Sequence, residues 1–256
     1  MTPYYDQDGI IIYHGDCREI LPTLKGDSID FIFTDPPYGL GVNQNDLQAV
    51  INRRVLRSDT SIPRPITNDG DEAHELVRLL FAEAKRLLIP GACCCCCAGG
   101  GGPQPVFAKW SLWLDELLGF KQMVVWDKGP MGLGWHYRRS YEVVLVGQKQ
   151  GAACRWFDDT ETIENIIRHI PRIHPGLQSS HDHPTSKPVA LINWFLRLHT
   201  APGHLVLDPF MGGGPTMLAA AANGCQAIGI EIEERYCELT ARRLSQGVFD
   251  FEALLP

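Results

Sequence analysis

Apolar residues in this chain gather in short unbroken runs, each a few residues long and each ending in something polar. Ile29-Asp30-Phe31-Ile32-Phe33-Thr34 and His204-Leu205-Val206-Leu207-Asp208 are two such runs, and Gly9 to Tyr13 and Gln226 to Ile230 are two more. Runs of this length, apolar on both alternating faces, are what strands covered on both sides look like. Longer stretches with helical spacing lie between them: Glu72 to Leu88, Val106 to Leu118, Val189 to Leu196 and an alanine-rich stretch after Gly214. Alternating strands and helices predict an α/β fold built on a mostly parallel, doubly wound sheet. Phe120 to Asp127 and Tyr141 to Val146 read as two β runs joined through Gly129 to Trp135, an antiparallel hairpin expected at one edge.

One run is unusual in content. Cys93 to Cys97 are consecutive cysteines and follow Pro90-Gly91, where the sheet needs its next central strand. Adjacent strand residues point to opposite faces, so the five cannot converge on one ion, and free cysteine packs there as a small hydrophobe. No metal site is expected from them, nor from His169, Arg172, His174 and His181, whose spacing fits no helical ligand pattern. An odd total of nine cysteines suits a reduced, cytoplasmic protein better than a secreted one.

The chain has 256 residues, 45% of them hydrophobic, enough for one α/β domain spanning 1–256. No stretch is long and apolar enough to span a bilayer, and Met1 to Asp6 lacks the features of a signal peptide, so no membrane partner is expected. Residues 41–70 form a polar insertion, Gly99 to Pro105 a flexible connection, and 149–182 irregular structure with a short helix. The formal charge of -7 counts against a polyanionic partner, but charge is local. Arg53, Arg54, Arg57 and Arg64 lie in the insertion, and Lys128, Arg138, Arg139 and Lys149 lie around the hairpin. These are candidate phosphate contacts or simply solvated faces.

Chemistry concentrates at the ends of two runs. The first delivers Asp35-Pro36-Pro37-Tyr38 to the carboxyl end of its strand, where open parallel sheets hold their ligands. Alone, the string equally suits a surface turn. At the mouth of a buried strand, an acid followed by two rigid prolines makes an acceptor pair suited to an amino group held by both hydrogens. The second run opens into Asp208-Pro209-Phe210-Met211-Gly212-Gly213-Gly214 and then a helix. Glycines there admit close approach of a ligand, and the amino end of the helix suits a carboxylate. About two dozen residues on, Glu231 ends the next strand, where nucleotide-binding sheets place an acid for ribose hydroxyls. A glycine turn with a solvated Glu is the plain alternative.

These strings resemble the catalytic and cofactor motifs of the amino-methylating DNA methyltransferases. With the catalytic string before the cofactor turn, the chain is similar to their beta group, whose Rossmann-like methyltransferase sheet is permuted in chain order. The resemblance implies S-adenosyl-L-methionine as cofactor and methyl transfer to an exocyclic amine of an extruded base in double-stranded DNA. It implies that Asp35 and the Pro36 carbonyl accept the amino hydrogens, that Pro37 stiffens the loop, and that Tyr38 stacks on the base. Asp16, Asp35, Thr185, Lys187, Asp208, Pro209, Phe210, Gly212, Gly214 and Glu231 are implied to line the cofactor site. A turn aspartate at 16 and a solvated loop lysine at 187 are the bland alternatives.

The chain departs from the family at Gly213 and Pro215, where small hydroxyl residues are usual, so a hydroxyl contact to the cofactor is lost. An Asp-led motif favours adenine, with cytosine-N4 methylation as the runner-up. The order of motifs argues against a protein-glutamine methyltransferase. A catalytically idle cofactor-binding module is the reading from another class. Residues 41–70 and 149–182 are candidate DNA-recognition insertions, and a homodimer or a cognate restriction enzyme are the protein partners this group suggests.

Overall fold

The computed structural model describes residues 2–39, 70, 72–99, 106–129, 136–137, 139–173 and 186–246. Within them one nine-stranded sheet runs β1-β2-β9-β8-β3-β4-β6-β5-β7. In chain order the strands are β1 (Tyr5–Gln7), β2 (Ile10–His14), β3 (Ile29–Thr34), β4 (Leu88–Ala98), β5 (Phe120–Asp127), β6 (Tyr141–Gln148), β7 (Ile166–Ile167), β8 (Leu205–Asp208) and β9 (Gln226–Glu231). The five central strands, β2, β9, β8, β3 and β4, pair in parallel. Strands β5 and β6 form the expected hairpin, with β6 antiparallel to β4.

Helices cover both faces. Cys17–Ile20, Glu72–Leu87 and Val106–Leu117 pack on one, burying Leu76, Leu80, Phe81, Trp110 and Leu114 against Ile32, Cys94 and Cys96. Val189–His199, Pro215–Ala222 and Glu234–Ser245 pack on the other, where Phe195, Met217 and Cys237 meet Phe31, Phe33, Cys93, Cys95 and Cys97. The cysteine run thus alternates as a doubly covered strand must, and all five side chains are buried.

The crossovers lead away in opposite directions from β3 and β8, which are parallel neighbours. From β3 the crossover through Glu72–Leu87 leads to β4 on one side, and from β8 the crossover through Pro215–Ala222 leads to β9 on the other. Such a switch point opens a crevice at the carboxyl ends of the strands. The two halves are tied along the seam: Leu205 N donates to Asp30 Oδ2 at 2.8 Å, and Thr34 Oγ1 donates to Asp208 Oδ1 at 2.8 Å.

Three features differ from the expectation. Strand β1 adds an antiparallel edge; its Tyr5-Asp6-Gln7 carries no apolar run, and pairing with β2 holds it. Residues 149–173 contain no helix. Ile166–Ile167 instead pairs with β5, and Trp126 Nε1 donates to Ile170 O at 2.7 Å, fastening the segment to the sheet edge. Finally, Pro90 and Gly91 lie inside β4 rather than before it. The insertion 41–70, apart from Gly70, and the connection 100–105 lie outside the described residues, as do 130–135 of the hairpin loop and 174–182 of the second insertion.

Candidate active site

Four acids stand at or just past the carboxyl ends of four neighbouring strands: Asp16 after β2, Glu231 on β9, Asp208 on β8 and Asp35 after β3. Parallel pairing brings together residues up to 215 positions apart in sequence, because every central strand points its end at the same edge. Each acid has its own environment, and the environments decide what each can do.

Asp35 sits in the most charged one. Its Oδ1 accepts from Tyr38 Oη at 2.7 Å and its Oδ2 is bound by Lys187 Nζ. That ammonium also approaches Tyr38 Oη at 3.3 Å and Glu142 Oε2 at 3.3 Å, and Glu142 Oε1 accepts from Lys128 at 2.7 Å. Lys187 is only 7% exposed. Burial alone would lower its pKa, but Asp35 and Glu142 outweigh that and raise it, so Lys187 stays charged. Burial pushes Glu142 up while Lys187 and Lys128 pull it down, and the lysines win. Burial first, then Asp35, raises the Tyr38 phenol, which stays a donor. The Tyr38 ring is braced edge-on by Trp110 at 6.0 Å, and Trp110 Nε1 donates to His74 Nδ1 at 3.1 Å. Pro36 is buried and Pro37 half-buried, so the loop leaves β3 in one defined direction.

Asp208 faces inward. Its Oδ1 accepts from Thr34 Oγ1 and, at 3.1 Å, from Phe210 N, and its Oδ2 accepts from Thr216 Oγ1 at 2.6 Å. Burial pushes its carboxyl up to about 6 in spite of these bonds. Asp208 therefore clamps β3, the turn and the following helix together. The turn it anchors holds Pro209 buried and Phe210 half-buried. Gly214 closes it at φ 77°, where an added Cβ would lie 2.3 Å from Thr240 Cγ2. The Pro215–Ala222 helix starts at Gly214 without a side-chain cap, with Pro215 in its first turn.

Glu231 is held at the crevice by two backbone amides, Gly212 N on Oε2 and Glu233 N on Oε1, each at 2.8 Å. Burial raises it to about 7. With no cation on it among the described residues, it keeps acceptor capacity for a ligand. Asp16 instead caps the Cys17–Ile20 helix, accepting from Arg18 N at 2.8 Å and from the Arg18 guanidinium on both oxygens. That fork holds its carboxyl below the usual range.

The structure therefore brings Asp35, Pro36, Pro37, Tyr38, Lys187, Asp208 to Gly214, Glu231 and Asp16 to one edge, while Thr185 lies outside the described residues. Glu142 was missed in the sequence; its one signal is an acid near the start of an otherwise apolar run. Thr34 and Thr216, the clamp hydroxyls, carry no signal apart from their neighbours. Of the expected cationic cluster, Lys128 is paired with Glu142, and Lys149 is paired with Asp27 at 2.6 Å at the opposite end of β6. Arg138 and the four insertion arginines lie outside the described residues.

Residues 29–242 match the N6/N4 model of DNA methylases. The type II methyltransferase M2.DpnII of Streptococcus pneumoniae is 26% identical, over 94% of this chain and 92% of that protein. The DNA adenine methyltransferase YhdJ of Escherichia coli (strain K12) is 28% identical, over 91% and 82%. A crystal structure of an M1.HpyAVI complex with SAM aligns with a TM-score of 0.64 at 26% identity, over 92% of this chain and 98% of that one.

Proposed function

The chain belongs to the N6/N4 DNA methylase family, and from that premise we propose that it methylates the exocyclic amino group of adenine in double-stranded DNA. The observation that carries the reading is the seam between β3 and β8: the acid-diproline loop and the glycine turn leave adjacent strands, tied by the Thr34 to Asp208 hydrogen bond. Adenine is supported by the Asp that opens the motif and by the name of the Escherichia coli relative.

The residues at the crevice fit S-adenosyl-L-methionine. Glu231 offers a pinned carboxylate for the ribose hydroxyls, and the uncapped helix start after Gly212 to Gly214 suits the methionine carboxylate. Phe210 and Pro209 supply apolar surface beside the turn, and Asp16 reaches the adenine only by sharing its oxygens with Arg18. Bound there, the cofactor supplies a methyl group on a sulfonium centre that keeps the electron pair of the broken bond. The target base has to leave its stack to reach the crevice. Asp35 accepts one amino hydrogen and the Pro36 carbonyl the other, which turns the nitrogen lone pair away from both. Tyr38 covers the base with its ring while its hydroxyl fixes Asp35. Lys187 stays protonated and so cannot take up the proton lost from nitrogen; Asp35 takes it and passes it to solvent. Positioning and fixed charge supply the acceleration, without a covalent enzyme intermediate.

The test is incubation of the purified chain with methyl-labelled cofactor and unmethylated double-stranded DNA, followed by digestion to nucleosides. Label in N6-methyl-2′-deoxyadenosine is expected, and its loss in Asp35→Ala. Label in N4-methyl-2′-deoxycytidine would refute the choice of base, and label in no nucleoside would leave a cofactor-binding module. A restriction enzyme of the same specificity is the partner that the type II relatives suggest.

A further inference from the structure

At the opposite end of the sheet from the crevice, three side chains from remote parts of the chain converge. Cys93 lies in β4, beside Phe31 of β3; Cys154 follows β6; His199 is the last residue of the Val189–His199 helix. One ligand atom of each lies within 4.8 Å of the other two, and the Cys93 and Cys154 sulfurs are 3.6 Å apart. Of the five consecutive cysteines, only Cys93, Cys95 and Cys97 face the Val189–His199 helix, and Cys93 is the one beside its carboxyl end.

Each of the three is held in place independently. His199 is 5% exposed, its ring stacked on Phe31 with centroids 5.1 Å apart and met edge-on by Trp156 at 5.1 Å. Its Nδ1 is buried with no hydrogen-bond partner among the described residues. The segment bearing Cys154 is strapped across the sheet end: Arg155 N donates to Gly91 O at 3.1 Å, Phe157 N to Leu198 O at 2.8 Å, and the Arg155 guanidinium pairs with Asp30 at 3.3 Å. Cys154 itself is exposed, which gives the cluster a route to solvent.

We propose that Cys93, Cys154 and His199 form a site for one thiophilic divalent ion of the zinc type, with solvent as its fourth ligand. For a tetrahedral ion with bonds to sulfur of about 2.3 Å, two sulfurs stand about 3.8 Å apart, close to the separation seen here. Two thiolates neutralise the divalent charge, a condition for seating it under apolar rings, and their two protons pass to solvent. A disulfide is the competing use of the two sulfurs. It would leave the imidazole as a buried base between Phe31 and Trp156, whereas an ion engages all three groups. Lying away from the crevice, the ion is structural, fastening the 149–157 strap to β4 and to the helix end.

The full chain, reduced and stripped of metal, is titrated with Zn2+ against a chromophoric chelator and, separately, with Co2+. One equivalent per chain is expected, with a thiolate-to-cobalt charge-transfer band and a rise in melting temperature on loading. Cys154→Ser, at an exposed position that does not endanger folding, and His199→Gln should each lose the band and the shift; Asp35→Ala should keep both. An absence of bound ion in the reduced chain, or an ion that survives Cys154→Ser, overturns the site.

Discussion

In the charged cluster at the crevice one buried cation bridges two acids, and removing that cation should cost more than removing an acid. Lys187 bridges Asp35 and Glu142 while almost fully buried. Lys187→Met leaves Asp35 without a counter-charge and Glu142 with Lys128 alone, and loss of one partner from a buried ion pair costs about 3–5 kcal/mol. The urea midpoint should fall accordingly. Glu142→Gln should cost less, since Lys187 keeps Asp35 and Lys128 reaches solvent. Combining the two substitutions should cost less than their sum, because the second removes one of the stranded charges. Strict additivity in that double-mutant cycle would show that Lys187 and Glu142 are not coupled.

Glu231 makes a second residue-scale prediction through its protonation. Its carboxyl titrates at about 7 in the folded chain because of burial, above the ordinary 4.5. The folded state therefore holds the proton more tightly than the unfolded one. The resulting stability is fully present below about pH 4.5 and is lost as pH rises through 7. For a shift of this size the loss is about 3 kcal/mol. Asp208, raised to about 6, slopes the same way, while Glu142 and Asp16, both lowered, slope oppositely. Glu231→Gln should thus reduce the decline in cofactor-free stability between mildly acid and neutral pH, measured by denaturant unfolding. Cofactor affinity should move the other way, tightening above pH 7 as the carboxylate becomes the better acceptor for hydroxyls. A wild-type affinity that is flat across neutrality would remove Glu231 from the ribose site.

At the scale of elements, the glycine turn depends on contacts outside itself. Gly214 occupies a left-handed backbone conformation, and the side chain of Thr240, on the Glu234–Ser245 helix, fills the space where its Cβ would go. Gly214→Ala therefore meets both strain and collision, and about 1–3 kcal/mol of destabilisation is expected from the backbone alone. The turn should shift, and cofactor binding measured by calorimetry should weaken more than the melting temperature suggests. Thr240→Ala in the same chain should restore part of the loss, because it removes the hydroxyl and methyl that a Cβ would strike. Absence of any rescue would mean that φ, and not the contact, sets the requirement.

Elements also mark where the sequence could be read and where it could not. The central strands were legible because both faces of each are buried, which leaves unbroken apolar runs; even five cysteines read as a strand on that ground. Strand β1 and Ile166–Ile167 were not, since three and two residues at a sheet edge depend on pairing rather than composition. At the site, Asp35 and the glycine turn were legible because each sits at the end of its own strand. The company of Asp35 was not: Lys187 lies 152 residues away, and Glu142 is a single acid in a β run. Pairings between remote side chains leave no local pattern: the expectation of no metal site rested on the cysteine run by itself, without Cys154 and His199 beside Cys93.

Taken as a whole, the molecule must hold a polyanion with a net charge of -7, so the position of its cations decides how it binds. Lys149 is removed from that role twice over. Its ammonium is bound by Asp27 and by the Leu88 carbonyl at 2.8 Å, and it lies at the end of β6 remote from the crevice. Lys128 is at the correct end but is paired with Glu142. With these two lysines engaged, Arg53, Arg54 and Arg57, the densest basic run in the chain, are the expected source of phosphate contacts. Lys149→Ala should leave DNA affinity and its salt dependence unchanged. Replacing Arg53 and Arg54 by Ala should weaken binding across all sequences and lower the slope of log K against log salt by about 2, since each phosphate contact contributes about 0.9. Titrations by fluorescence anisotropy at several salt concentrations separate the two cases. An unchanged slope in the double arginine variant, or a reduced one in Lys149→Ala, would overturn this assignment of the phosphate contacts.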